Sequence, residues 1–450
     1  MTQTAPATDR YSADFDALRE QSAGDPQWLR DLRRDGFDYF QRMGFPIDEK
    51  RDEAWKYTDV KAIARTEFRY PDARGAVASS RDMAGRLPFD EGMSRLVFID
   101  GHFASELSSI IDADSSSVLR LASAIREEEA LVHGHLGRYA EPGHDAFVGL
   151  NTAFFRDGLF LHPDKPLSAP VHVVYVTGDH ADAVVTYPRT LVVAGTNAEV
   201  TLIETFISLG PRNHFTDPVT EIALGEGSTV THYRIHLENT ESYSVGHVRP
   251  CLSGEATYKS VYYEAGSGLM RLDLQVLIDA PGASANLKGL YLTGGKQHLD
   301  NLVSIDHAQP HGRSRLYYKG ILDGKSRAVF GGTVYVRPGA DKTDAYQEDK
   351  NLLLSAEAEA DSKPSLEIYA DDVKCGHGAT AGAVADEAIF YLRSRGLDEQ
   401  TATRLLIKGF ASEILDAIQI EPLRAYLEQL TMERLAGASI SGSPEPEAIR

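Results

Sequence analysis

From Pro170 to Ala370 the chain runs for about two hundred residues in short stretches rich in Val, Ile, Leu, Thr and Tyr, broken by Gly, Asn, Asp and Pro. No amphipathic helix interrupts them, and such composition between turn formers predicts strands throughout. Leu272, Leu274, Val276 and Ile278 alternate with Arg271, Asp273 and Gln275, the period of two expected of a strand with one buried face. A turn glycine followed five residues later by an apolar residue recurs at Gly195/Val200, Gly225/Val230, Gly282/Leu287 and Gly324/Val329. Gly254 stands near the middle of the longest gap, although its fifth residue is Lys259. Imperfect repeats of this kind predict stacked coils, because one short coil cannot bury its apolar face without neighbours. A β-helix or other β-solenoid therefore fits best. A β-sandwich or barrel also has regular turns, but closes around a smaller core.

The flanks read differently. Between Tyr11 and Gln41 the apolar residues Phe15, Leu18, Trp28, Leu29, Leu32, Phe37 and Phe40 recur at helical spacing, with Asp25 and Pro26 as a predicted cap and first turn. L-V-F-I-D-G-H-F, Leu96 to Phe103, reads as a strand entering a turn at Asp100 and Gly101. After Gly382 helices return: Ile389, Phe390 and Leu392 precede a stop at Gly396, Asp398 caps a long helix, and Pro422 opens another. The predicted layout is mainly β. An N-terminal helical and mixed α/β region spans 1–150, a solenoid core 151–382 and a C-terminal helical domain 383–436. A small, polar and Pro-rich tail at 437–450 is expected to be disordered.

Composition excludes several functions. With 46 Lys and Arg against 66 Asp and Glu, the net charge of −20 repels a phosphate backbone or an anionic membrane. Apolar runs fall short of the roughly 18–20 residues of a membrane span. The start, M-T-Q-T-A-P-A-T-D-R, has no basic segment leading into an apolar one, so a cytoplasmic location is expected. Cys251 and Cys375 are the only cysteines, too few for a disulfide framework and too far apart in sequence for a Cys-x-x-Cys motif. No G-x-x-x-x-G-K-[ST], G-x-S-x-G or H-E-x-x-H occurs, so the chain is not expected to bind nucleotide itself.

The segment densest in chemistry is D-D-V-K-C-G-H-G-A-T-A-G, Asp371 to Gly382, at the junction of strands and helices. A thiol and an imidazole are ligands that iron accepts, and on one strand the spacing of Cys375 and His377 puts both on one face. Two donors do not close a metal shell, so the remaining ligands would have to come from another chain. Asp371 and Asp372 could orient His377 or Lys374, or simply satisfy a turn. The pair His307 and His311, beside Pro310 and Gly312, reads as a structural turn. Asp300 with Asp306, and Asp341 with Asp344, could serve as acid/base pairs of a carbohydrate-cleaving β-helix, but in so acidic a chain they read more simply as solvated carboxylates. Arg393, Arg395, Arg404 and Lys408 suit either an acidic partner or a solvated helix face paired with Asp398 and Glu399.

The run from Asp371 to Gly382, followed by F-Y-L-R-S-R-G-L from Phe390 to Leu397, resembles the C-terminal signature of the SufD branch of the SufB/SufD family, whose members serve the SUF machinery for iron–sulfur clusters. W-K-Y-T-D at Trp55–Asp59, N-T-A-F at Asn151–Phe154, P-H-G-R-S at Pro310–Ser314 and G-I-L-D-G-K-S-R-A-V-F at Gly320–Phe330 extend the resemblance over most of the chain. The resemblance implies a right-handed parallel β-helix between the two flanking regions. It implies a scaffold without catalytic turnover, paired with SufB through the β-helix or with a second copy of itself in isolation. The ATPase SufC would bind the C-terminal helices. A transient iron–sulfur cluster would form at the SufB interface, with His377 as its metal-binding residue here and Cys375 as the nearby thiol. A SufB-like principal scaffold is the alternative, disfavoured by the two-cysteine count.

Overall fold

The computed structural model describes residues 6–48, 53–71 and 92–435, so the predicted tail at 437–450 lies outside it. Its centre is a solenoid of two facing sheets. One stacks Val171–Thr177, Glu199–Ser208, Thr229–Leu237, Thr257–Glu264, Ser284–Thr293, Arg313–Leu322, Asp344–Leu353 and Lys374–Ala383. The other stacks Gly158–Leu161, Arg189–Ala194, Val219–Leu224, Tyr243–Leu252, Leu269–Ile278, His298–His307, Arg327–Val336 and Glu359–Ile368. All neighbours within these two series are parallel, and each coil gives one strand to each sheet. In-register pairing lines residues up along the axis: Val200, Val230, Tyr258, Ala285, Ser314, Ala345 and Cys375 form one column. Such stacking buries the inner face of every coil on the next, and the inward Leu272, Leu274, Val276 and Ile278 are at most 1% exposed.

The repeat glycines turn corners, but not all the same one. Gly195, Gly225, Gly254 and Gly282 precede strands of the first sheet, one coil apart, whereas Gly324 leads into Arg327–Val336 of the other. There it sits on Gly295: a Cβ at Gly324 would lie 2.9 Å from the Gly295 nitrogen, and its φ of +65° itself favours glycine. The glycine series in the sequence therefore spans two different corners of the coil.

The N-terminal helices Pro6–Gln21, Gln27–Met43 and Ala146–Phe154 meet in an aromatic cluster in which Phe15 stacks on Phe37 at 4.2 Å and Phe154 packs edge-on to both. Burying each such ring is worth about 1.5–3 kcal/mol. The second and third helices touch backbone to backbone, since a Cβ at Gly36 would lie 2.7 Å from the Gly149 carbonyl. One expectation fails here. Asp25 does not cap; Pro26 holds the cap position, no side chain caps the helix, and the Asp25 carboxylate faces Arg33 at 3.5 Å. Proline supplies the fixed φ that starts a helix, which leaves the aspartate free for an ion pair. The strand Ser94–Ile99, the turn at Asp100–Gly101 and the short strand His102–Phe103 follow the sequence reading.

Two motifs tie this lobe to the solenoid. Arg189, fully buried, donates to Asn151 at 2.9 Å and Thr152 at 3.1 Å of the N-T-A-F segment and pairs with Glu221. Glu221 in turn accepts the backbone N–H groups of Gly137, Tyr139 and Ala140. In W-K-Y-T-D, Trp55 lies 4.1 Å from the Arg271 guanidinium, and both Arg271 and the Thr58 hydroxyl bond Asp300. At the far end, Asp386–Ser394, Glu399–Leu415 and Glu421–Leu435 form the C-terminal helices, the second capped by Asp398 through the Thr401 N–H at 2.9 Å. They seat on the outside of the first sheet through Tyr263 to Thr431 at 3.1 Å and through Lys319, which reaches the Phe410 carbonyl at 2.9 Å and Glu413 at 2.8 Å.

Candidate functional site

The last coil carries the residues singled out by the sequence. Lys374–Ala383 is a strand paired in parallel with Asp344–Leu353, and it sets Cys375 beside Ala345 and His377 beside Gln347. Ala345 and Gln347 point into the lumen and are 2% and 0% exposed. Cys375 and His377 thus share the inner face, as their spacing implied, but no further coil covers them. The strand and its counterpart Glu359–Ile368 end their sheets, and most of their residues are exposed or half-buried. His377 is exposed, whereas Cys375 is half-buried against the cluster of Val334, Val336, Ala340 and Ala345.

Burial, with a smaller push from Asp344, raises the Cys375 thiol above its ordinary range, so in this chain alone it stays protonated at neutral pH. The outer face of the same strand is also sparsely covered: a Cβ at Gly378 would meet nothing closer than 3.7 Å, and one at Gly382 nothing within 4 Å. On the inner face the residues that follow His377 are the small Ala379 and Ala381. Tyr346, Ile368 and Tyr369 stand exposed around it.

Beneath this layer lies a polar one that sequence reasoning missed. Asp349, buried under the last coil, accepts hydrogen bonds from Tyr291 at 3.0 Å, Asn351 at 2.7 Å and Ser362. Burial pushes its carboxyl up to about 6, against the pull of those donors. Gln347, directly under His377, donates to the Ser365 carbonyl at 2.9 Å. The signal was there as polar residues at the inward positions 347, 349 and 351 of a period-two strand.

Other candidates resolve into structural roles. Asp372 is engaged by Lys342 rather than by His377 or Lys374. His307 is buried and bonds Ser314 at 2.9 Å, and His311 sits in the turn with a φ of +62°. Asp300 belongs to Arg271 and Thr58, Asp306 to Arg337 and Asp344 to Arg315, so each of these three carboxylates is taken up by an ion pair. Arg393 pairs with Glu399 at 3.2 Å, while Phe390, Tyr391 and Leu405 stand out from the helices at 75%, 57% and 50% exposure. Among the described residues no three His, Cys, Asp or Glu side chains converge as a metal-binding group, and no helix is long and apolar enough to cross a membrane. From this chain the last coil therefore offers a metal two donors, Cys375 and His377.

Fold and site together define a class: a β-solenoid protein whose last coil is left uncovered, with a thiol and an imidazole on its inner face. Residues 175–410 match the family "SUF system FeS cluster assembly, SufBD core domain", and residues 2–169 match "SufBD protein N-terminal region". The chain belongs to the SufB/SufD family of iron–sulfur cluster assembly proteins. It is 33% identical over 449 residues to an iron–sulfur cluster assembly SufBD family protein of Synechocystis, covering 95% of this chain and 96% of that one. It is 30% identical over 405 residues to the iron–sulfur cluster assembly protein SufD of Escherichia coli, covering 88% and 91%, and 25% identical over 423 residues to SufD of Bacillus subtilis, covering 90% and 93%. Within its family the chain is a homologue of SufD.

Proposed function

We propose that this chain is a non-catalytic subunit of a cytoplasmic SUF assembly complex. It pairs with SufB through the uncovered end of its solenoid, and His377 and Cys375 face a nascent iron–sulfur cluster shared with that partner. The observation that carries the reading is the last coil: two unpaired sheet edges, a lumen-side face without a cover, and an imidazole and a thiol on that face. A partner strand there would satisfy the free backbone groups and cover the apolar rim together. The imidazole of His377 can ligate iron while a partner supplies thiolates, and an incomplete shell suits a cluster that must later leave.

SufC is assigned to the C-terminal helices, where Phe390, Tyr391 and Leu405 give an apolar surface beside Arg395 and Lys408. With no nucleotide-binding loop in the sequence, ATP hydrolysis falls to that partner.

The test is anaerobic co-expression with SufB and SufC, comparing native protein with His377→Ala. The expected result is a collapse of cluster yield with the complex still assembled. Unchanged yield would make this chain an architectural partner and sink the site assignment. Recovery of the chain only as a homodimer in the presence of SufB would sink the pairing.

A further inference from the structure

Part of the inner face of the first sheet is polar, beside apolar stacks such as Val200, Val230 and Ala285. Arg234 is fully buried on Thr229–Leu237. It donates from Nη1 to Glu204 at 3.0 Å, while its Nε and Nη2 meet no protein acceptor. Nη2 reaches across the lumen to the opposite sheet, where a Cβ at Gly246 would lie 2.9 Å from it. Glu264 is 1% exposed; its Oε2 accepts from Asn301 at 2.7 Å, but Oε1 has no donor, nor has Asn301 Oδ1. The Tyr318 hydroxyl and the Ser260 hydroxyl, both buried, are likewise without protein partners.

These orphans are neighbours. Arg234, Tyr262, Gly289 and Tyr318 form one column, and Ser260 and Glu264 flank Tyr262 on its strand. A Cβ at Gly289 would lie 2.3 Å from the Tyr318 ring, so the ring lies back over that glycine toward the coil of Tyr262 and Glu264. The charges of Glu264 and Arg234 both act on the Tyr318 hydroxyl. The unpaired atoms therefore face a common stretch of lumen from both sheets.

We propose that this stretch is a closed chamber of ordered water, bounded by Arg234, Ser260, Glu264, Asn301 and Tyr318. The chemistry of the set selects water. Arg234 offers donors only, Asn301 Oδ1 an acceptor only, and the hydroxyls and the Glu264 carboxyl can serve as either. A bound anion would be repelled by the Asn301 and Glu264 oxygens, and a cation by Arg234. Water satisfies both kinds at once, and buried water makes two to four such bonds. Left dry, so many orphans in one place would burden a marginally stable fold heavily. From the coil next to Glu264, Tyr291 extends in the other direction over Gly320 to Asp349 and Asn351, so the polar interior continues to the coil under His377.

Two measurements on the full chain test the chamber. Tyr318→Phe deletes one hydroxyl and little else. If that hydroxyl holds water, the unfolding midpoint falls, by about 1–3 °C. If it is dry, the midpoint rises and the proposal is overturned. A crystal structure that resolves ordered solvent is expected to show water within hydrogen-bonding distance of Tyr318 Oη and Glu264 Oε1. A direct Tyr318–Glu264 bond in its place, or an empty lumen, overturns it as well.

Discussion

Replacing Glu264 by Gln isolates one buried carboxyl and gives its effect a sign. In the fold, burial pushes this group up to about 7 from an ordinary value of 4.5, against the opposing hydrogen bond from Asn301 and the charge of Arg234. Between those two values the folded protein keeps a proton that the unfolded chain has already released. Its contribution is therefore fully present below about pH 4.5, falls as pH rises, and is gone above about pH 7. At ~1.4 kcal/mol per pH unit the window is worth about 3 kcal/mol. Glutamine keeps the shape and an oxygen for Asn301 but cannot titrate. Urea denaturation from about pH 4.5 to about pH 8 gives the assay, read as native minus variant stability at each pH. Other shifted groups, such as Asp349 and the strongly acidic Glu204, are common to both proteins and cancel in the difference. The difference should move in favour of the variant by about 3 kcal/mol across the window. Parallel curves would mean that Glu264 ionises as it does in water, and would refute the reasoning.

Gly320→Ala should destabilise by about 1–3 kcal/mol in denaturation, because the new Cβ would stand 2.2 Å from the Tyr291 ring and 2.3 Å from Asn351 Oδ1. Gly254→Ala meets nothing closer than 3.8 Å and serves as the near-neutral control. Glu221→Ala should cost about 3–5 kcal/mol by leaving the Arg189 guanidinium buried and unpaired. It also strips three backbone N–H groups of their acceptor, and a separate early transition of the N-terminal lobe in calorimetry would report the loss. Lys319→Met should loosen the C-terminal helices from the first sheet; faster proteolysis near residues 384–398, with the solenoid intact, would register it.

Periodicity carried the solenoid into view because its coils are local: Leu272 to Ile278 announce their buried face by alternation, and corner glycines recur about a coil apart. What alternation cannot announce is which inward residues meet. Gln347, Asp349 and Asn351 read as ordinary polar positions until register sets them under the last coil. Asn151, Arg189 and Glu221 are far apart in sequence and form one buried unit only through the docking of the N-terminal lobe. The placement of Cys375 and His377 on one face was legible, since two residues on one strand fix their own relation. The layer beneath them was not, because it depends on contacts between coils roughly 30 residues apart. The Asp25 cap failed for a local reason: its neighbour Pro26 took the position first.

A parallel solenoid open at both ends would be bivalent, each end a template for another coil, and such particles can grow into fibres. Here one end is spent. The two-residue strand His102–Phe103 runs antiparallel to its neighbour and Val118–Arg120 does the same on the facing sheet, while the helical lobe packs on the outer face of that sheet's first coils through Phe160, Leu191 and Val245. Among the described residues the coil-sized template that remains is the one made by Glu359–Ile368 and Lys374–Ala383. Among the described residues strand addition is thus offered at one end alone: docking there would use up the template, so the reaction that makes exposed edges hazardous would be self-limiting.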